Sequence, residues 1–382
     1  MESFVMRARR KVRNTPVLLL AMVLTSFFHA GHSVWPMNLP HQVFILGVQP
    51  IMCSNLDGLT KAQILICQEN AEQMTSVGLG AKVAIAECQF QFQYRRWNCS
   101  IPERDKGSLF ERITKQDTRE AALTYAISSA GVVWALARAC AEGNLSSCSC
   151  SRERRPKDLK KDFQWGGCGD NFEYGEKFSK KFMDAGEKDY TAKADTSSMR
   201  MERYARTLMN YHNNDVGRLI TMEMSLIECK CHGVSGSCSL KTCWRQLSEF
   251  REIGNRLHDK YDAAILVALR RLNGKSTLLP KKIKRSYSKR QALAHPTKSD
   301  LVYLKLSPNF CYANPKLGAL GTQGRKCIKD APGTDGCDLL CCDKGFVSKI
   351  ETVKKRCRCK FYWCCTVRCK VCSKNVTIHT CK

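Results

Sequence analysis

The sequence predicts a disulfide-rich α+β fold: a helix-rich N-terminal domain with a stapled hairpin, then a small cysteine-knot-like β-hairpin domain. Three observations predict it. Apolar residues recur at helical spacing over about 118–142 and again over about 201–228. The chain holds 24 cysteines, twelve before residue 245 and twelve after residue 310. Between the two groups runs a basic stretch with no cysteine.

The N-terminus sets the compartment. Arg7, Arg9, Arg10, Lys11 and Arg13 precede the uncharged run Val17 to Phe28, and the small residues Ala30, Gly31 and Ser33 follow. This is the build of a secretory signal ending near residue 33. The alternative, a membrane anchor, fits less well because a span needs about 20 apolar residues. Val43 to Met52 is apolar but shorter still. An even cysteine count behind a signal reads as a disulfide framework. The net charge is +27, from 62 basic and 35 acidic residues. In a nuclear protein this charge would indicate nucleic acid. A secreted chain instead meets sulfated glycosaminoglycans such as heparan sulfate and anionic membranes, or simply keeps a solvated basic surface.

Residues 34–253 form the N-terminal domain in this reading. Residues 56–94 read as mostly helical. A clearer helix covers about 118–142, with Asp117 and Glu120 in a capping-box relation. Leu123, Ile127, Ala130, Trp134 and Ala137 make its buried stripe, and Gly143 is placed to end it. A third helix, about 201–228, carries Leu208, Val216, Leu219, Leu226 and Ile227. A fourth follows Cys243 through Trp244, Leu247 and Phe250. Residues 254–305 read as an exposed linker, because Lys281 to Arg290 holds six basic residues and no acidic one. That segment is also a candidate processing site or polyanion-binding segment. Residues 306–382 form the C-terminal domain. One residue in six of the last 72 is cysteine, a density that marks a module stapled covalently around little apolar core. Lys360 to Trp363 and Cys365 to Val367 read as short strands.

The most informative segment is Cys229-Lys-Cys231-His-Gly-Val-Ser-Gly-Ser-Cys238, continuing to Cys243-Trp244. Four cysteines allow three pairings. The nested one, Cys229 with Cys243 and Cys231 with Cys238, would project Val234, Ser235 and Gly236 from a doubly stapled tip. Three other readings compete. Gly233 to Ser237 nearly matches a G-x-S-x-G nucleophile elbow, but Ser237 stands where glycine is needed and no strand leads in. Cys229-x-Cys231 with His232, or Cys369-x-x-Cys372, has zinc-ligand spacing, which oxidising conditions disfavour. Ser235 is otherwise an ordinary polar loop residue.

The segment CHGVSGSC followed by SLKTCW resembles the signature of the Wnt family. So do Arg95-Arg96-Trp97-Asn98-Cys99, Arg119-Glu120-Ala121-Ala122, Trp165 to Asn171, His212-Asn213-Asn214, Ser307 to Cys311, Gly321 to Arg325, Cys341-Cys342 and the closing Cys-Lys. All stand in the family's order, over roughly residues 53–382. The resemblance implies a ligand without catalytic residues or metal, shaped like a hand gripping the cysteine-rich domain of a Frizzled receptor. It implies that Ser235, at the tip of a "thumb" spanning 229–243, is acylated with palmitoleate by Porcupine, and that the carrier Wntless serves secretion. About a dozen methylenes at roughly 0.8 kcal/mol each set an upper bound on the order of 10 kcal/mol, of which association costs leave a fraction as affinity. It implies a second contact at an "index finger", 357–372, through Phe361, Tyr362, Trp363 and a vicinal Cys364–Cys365 disulfide. It also implies a low-density-lipoprotein-receptor-related co-receptor.

The same resemblance implies the pairs Cys88–Cys99, Cys140–Cys148, Cys150–Cys168 and the nested thumb pairs. In the C-terminal domain it implies Cys311–Cys342, Cys327–Cys337, Cys341–Cys381, Cys357–Cys372 and Cys359–Cys369. Cys53 and Cys67 are left for each other. Sequons stand at Asn98, Asn144 and Asn375, and Asn98 matches a family glycosylation position. Asp343 to Phe346 and Tyr362 depart from the family's usual residues, on or near the second contact. The alternative from another class is a secreted basic matrix protein that binds heparan sulfate and carries no lipid.

Overall fold

The computed structural model describes residue 53 and residues 59–100, 113–157, 159–160, 163–187, 196–272, 274–281 and 295–382. The signal-like stretch, Val43 to Met52 and all but Lys281 of the Lys281 to Arg290 run lie outside the described residues. Helix α1 spans Lys61–Glu69 and starts at a capping box between Thr60 and Gln63. Asn70 leaves the helical region (φ −131°), and α2 runs from Ala71 to Gln91. The segment read as mostly helical, 56–94, thus holds two helices.

Helix α3, Arg119–Ala141, starts where expected but without the capping box. Its N-cap is Thr118, which makes no side-chain cap bond. Asp117 instead turns at φ 57° and pairs with Arg206 and, at 3.2 Å, with Lys305. Glu120 is buried and accepts hydrogen bonds from Tyr261 Oη (2.8 Å) and Ser307 Oγ (2.9 and 2.8 Å). A long-range partner took each carboxylate that local spacing assigned to the cap. The C-terminus behaves as read: Gly143 adopts φ 72°, its N–H reaches Cys140 O (3.3 Å) and the Asn144 N–H reaches Ala139 O (2.9 Å), a complete Schellman motif.

Around α3 pack α2, α4 (Phe172–Met183), α5 (Ser197–Glu223) and α6 (Phe250–Asp262). Small residues let the helices approach closely. A Cβ on Gly80 would lie 2.3 Å from the Gly131 carbonyl oxygen, and one on Gly217 would lie 2.0 Å from that of Ala126. Helix α3 is long and apolar enough to cross a membrane, but most of it is buried in this cluster. Trp134 sits half-buried on it, its indole N–H donating to Ser248 O at 3.0 Å.

Two helix expectations are corrected downstream. Helix α5 ends at Glu223, and Leu226 and Ile227 belong to strand β2, Leu226–Cys231, where both are exposed. The buried face of α5 is Ala205, Met209, Val216 and Ile220, while Leu208 and Leu219 lie at its edges. Trp244 lies in β3, Lys241–Gln246, and α6 begins only at Phe250. Antiparallel pairing of Cys229 opposite Cys243 forces strand geometry on residues whose local period is helical. β1, Phe163–Trp165, pairs parallel to β3 on its other edge.

The expected linker is also partly structured. After α6, β4 (Ile265–Leu272) and β5 (Lys275–Pro280) form a hairpin, and β6 (Val302–Tyr303) returns parallel to β4. The His212-Asn213-Asn214 run explains the return. Asn213, fully buried, donates to Val302 O (2.9 Å) and accepts from the Val302 N–H (3.0 Å), while His212 Nε2 meets Asp300 O (2.8 Å). Asn213→Ala leaves two buried backbone groups without partners. It is expected to cost about 2–4 kcal/mol, read as a lowered urea midpoint with unchanged m-value.

In the C-terminal part, β7 (Ala313–Asn314) pairs with β8 (Ala319–Leu320). β9 (Lys326–Cys327) joins a long ribbon of β10 (Phe346–Tyr362) and β11 (Thr366–Cys381). The strands read at 360–363 and 365–367 are thus the ends of strands of 17 and 16 residues. The core is small: Cys327, Cys337, Leu340, Cys341 and Cys381, with Phe346 against it. Helix α7, Cys337–Leu340, supplies part of it. Among the described residues every disulfide stays within one half of the chain. The bridges are 53–67, 88–99, 140–148, 150–168, 229–243 and 231–238, then 311–342, 327–337, 341–381, 357–372 and 359–369.

Candidate functional site: two stapled hairpin tips

The first tip lies between β2 and β3. Cys229 and Cys243 face each other in register and are bonded, and Cys231–Cys238 closes a smaller loop beyond them. This is the nested arrangement. The loop turns in one short 3₁₀ segment, Val234–Gly236. Its backbone bonds are internal: Gly233 N–H to Ser237 O (2.8 Å), Gly236 N–H to Gly233 O (3.0 Å) and Ser237 N–H to Val234 O (3.1 Å). No room exists for a side chain at residue 233, where a Cβ would meet Ser237 Oγ at 2.1 Å. Ser235 holds φ 57°, a left-handed conformation uncommon for a residue with a Cβ.

Such a turn presents its apex outward. Val234 is 89% exposed, and Ser235 and Gly236 are exposed beside it. Among the described residues none hydrogen-bonds the Ser235 hydroxyl, whereas Ser237 Oγ is engaged with Ser239 Oγ at 3.1 Å. A strand does lead into the loop, β2, contrary to the sequence expectation, but the chain returns as β3 in a disulfide-closed hairpin, not through the strand-to-helix turn of a nucleophile elbow. Cys229, Cys231, Cys369 and Cys372 are all oxidised in bridges, so none offers a thiolate to a metal. A buried trio of sulfurs, Cys327, Cys341 and Cys381, is likewise oxidised.

The second tip closes the β10–β11 ribbon. Trp363 is 94% exposed, and Phe361 and Tyr362 are exposed too, with Arg368 over the Tyr362 ring at 5.5 Å. Three exposed aromatics on one rigid tip are unusual for a solvated surface. The expected Cys364–Cys365 disulfide is not formed: both residues hold positive φ (66° and 77°) and their sulfurs stand 3.8 Å apart. A disulfide needs about 2.05 Å. The turn that reverses the chain at 363–365 places the two thiols side by side without joining them.

Asp343 to Phe346 does not lie near this tip. Lys344 Nζ donates to Cys311 O at 2.6 Å, and Phe346 pairs with Cys381 at the opposite end of the ribbon. Fifteen residue steps at about 3.3 Å each separate Phe346 from Phe361. Asn98 is half-buried, while Asn144 and Asn375 are exposed. The outward Leu226 and Ile227, at the base of the first hairpin, escape the helical reading. The alternating pattern that leads into Cys229 and Cys231 was the available signal.

The chain resembles known proteins over most of its length. The family model described as "wnt family" covers residues 55–382. Protein Wnt-5b of Homo sapiens is 48% identical over 341 residues, covering 89% of this chain and 90% of its own length. Protein Wnt-5a of Ambystoma mexicanum is 48% identical over 350 residues, with 91% of each chain covered. Among solved structures, human WLS in complex with WNT8A matches at TM-score 0.56 and 37% identity, covering 82% of this chain and 95% of that one.

Proposed function

Because this chain belongs to the Wnt family, we propose that it is a secreted signalling ligand that grips the cysteine-rich domain of a Frizzled receptor with both hairpin tips. Ser235 carries a palmitoleoyl ester made by Porcupine, and the acyl chain enters an apolar groove on the receptor. The observation that carries this reading is the Ser235 hydroxyl, exposed and without a hydrogen-bond partner among the described residues, at the apex of a doubly stapled turn. A rigid tip loses little entropy on docking, so the lipid's burial is retained as affinity. The acylated chain needs a carrier in water. The solved relative is bound to WLS, and we assign this chain the same kind of escort, Wntless. A low-density-lipoprotein-receptor-related protein completes the signalling complex, and Asn98, Asn144 and Asn375 are the glycan sites of this chain. The mechanism is binding, with no catalytic step, cofactor or metal.

The second contact is carried by the finger tip. Trp363→Ala is expected to weaken binding to the receptor domain by about 2 kcal/mol, near 30-fold, since central exposed aromatics dominate such interfaces. Binding of the purified secreted protein to immobilised receptor domain checks it. An unchanged Kd would remove the finger from the contact. A chain that stays in the aqueous phase on detergent partitioning and elutes from heparin with salt would instead be the basic matrix protein without lipid.

A further inference from the structure

Alanines face each other where α2 and α3 lie side by side, and they leave a trough. Ala71, Thr75 and Leu79 line it from α2, and Ala135, Ala139 and the C-cap residue Glu142 from α3, three or four residues apart as one helix face requires. The trough holds about 560 Å³, a volume typical of small-molecule sites, which span about 300–1,000 Å³. From Glu72 to Leu79 it runs seven helical rises, about 10 Å. Half-exposed Leu79 and half-buried Trp134 wall its far end. Its rim is mixed in charge: the Glu72 and Glu142 carboxylates, and the Arg138 guanidinium lying 4.5 Å above the Trp134 ring.

Asn144 lines the near end, and it opens the sequon Asn144-Leu145-Ser146. Its backbone is fixed on both sides. The Asn144 N–H closes the Schellman turn on Ala139 O, buried Leu145 forms part of the trough, and the Ser146 N–H donates to the Glu72 carboxylate. The Cys140–Cys148 bridge closes the loop. Asn144 Nδ2 donates to Glu142 Oε2 at 2.9 Å, which holds the amide at the trough's rim. Glycosylation joins Nδ2 to the anomeric carbon of a lipid-pyrophosphate-linked oligosaccharide. The lipid pyrophosphate leaves, one N–H proton is lost, and the other N–H remains for Glu142.

We propose that the Asn144 glycan folds back onto its own protein, its first N-acetylglucosamine residues lying in the trough between α2 and α3. The inference rests on the glycan assignment above and adds where that glycan sits. A neutral sugar suits both parts of the site. Its acetyl methyl and C–H faces cover the alanine floor and Leu79, while its hydroxyls and amide meet Glu72, Arg138 and Glu142. A sulfated or phosphorylated ligand would face two carboxylates, and an acyl chain would desolvate three charged groups without pairing them. The glycan's root is held by a rigid loop, so little freedom is lost when the sugars settle. In return they remove Leu79 and the exposed part of Trp134 from water.

The test is timed release of N-glycans from the folded, secreted full-length chain by peptide:N-glycosidase, read site by site from peptide masses. Asn375 is the folded control, exposed on the open ribbon opposite Thr352. Release at Asn144 is expected to be at least about tenfold slower than at Asn375, as for a linkage that must first open locally. Leu79→Glu, at an exposed helix position away from the linkage, is expected to speed release at Asn144 at least about fivefold and to leave Asn375 unchanged. Thr75→Tyr fills the trough from a second exposed position and is expected to act the same way. Slow release that neither variant changes would show the loop itself shielding the linkage. Release as fast as at Asn375 would show a glycan free in solvent. Either result overturns the inference while the glycan assignment stands. An Asn144 peptide found at its unmodified mass overturns both.

Discussion

Ser235→Ala is expected to reduce affinity for the Frizzled cysteine-rich domain at least about 100-fold, close to 3 kcal/mol. That is a fraction of the upper bound set by burying a sixteen-carbon chain, as the costs of association require. The effect is not a folding defect. Ser235 is exposed, its hydroxyl bonds to none of the described residues, and the turn is held by two disulfides and its own backbone bonds. Ser235→Gly sharpens the test, since glycine suits the φ of 57° better than serine does. Both variants are expected to be secreted, to remain in the aqueous phase of a detergent partition and to bind weakly. Ser237→Ala, two residues along the same loop, is expected to partition and bind like wild type.

Arg218→Leu is expected to destabilise the fold by about 3–5 kcal/mol, a large share of the roughly 5–15 kcal/mol that holds a domain together. The guanidinium is almost fully buried, with Nη1 and Nη2 donating to the two oxygens of Asp184 at 3.2 and 3.1 Å. It also reaches Asp215 at 2.8 Å and Ser129 Oγ at 3.4 Å. Burial already pushes the Asp184 carboxyl above its usual range, against the pull of Arg218. Removing the arginine leaves that carboxylate in the helix cluster with, among the described residues, only Asn214 to donate to it. Its folded-state pKa then rises further, so the folded state binds the proton more tightly than the unfolded one. Stability of the variant should accordingly increase as pH falls from 7 toward 5, narrowing the gap to wild type. Urea midpoints at pH 7 and pH 5 check both statements. A variant within about 1 kcal/mol of wild type at pH 7 would remove Arg218 from the structural account.

The parts legible in the sequence were those set by near neighbours. Gly143 ends α3 because a left-handed residue is needed one step past the helix, and that rule is local. The Cys229 to Cys243 spacing admitted a nested hairpin, and the family signature singled out Ser235 at its tip. What escaped was decided by partners far along the chain. Asp117 and Glu120 have capping-box spacing, yet Arg206, Tyr261 and Ser307 claim them. Leu226 and Ile227 extend the helical period of α5 but are drawn into a strand by β3. Asn213 gives no local sign that it clamps a strand 89 residues away.

The central claim is the acyl ester on Ser235. The most direct measurement is intact-peptide mass spectrometry of the Cys229–Cys243 segment from protein secreted by animal cells. The account predicts a mass increment of one monounsaturated sixteen-carbon acyl group, localised to Ser235 and absent from Ser235→Ala. An unmodified Ser235 in secreted protein that still binds the receptor domain would contradict it, and would leave Trp363 and its neighbours as the contact.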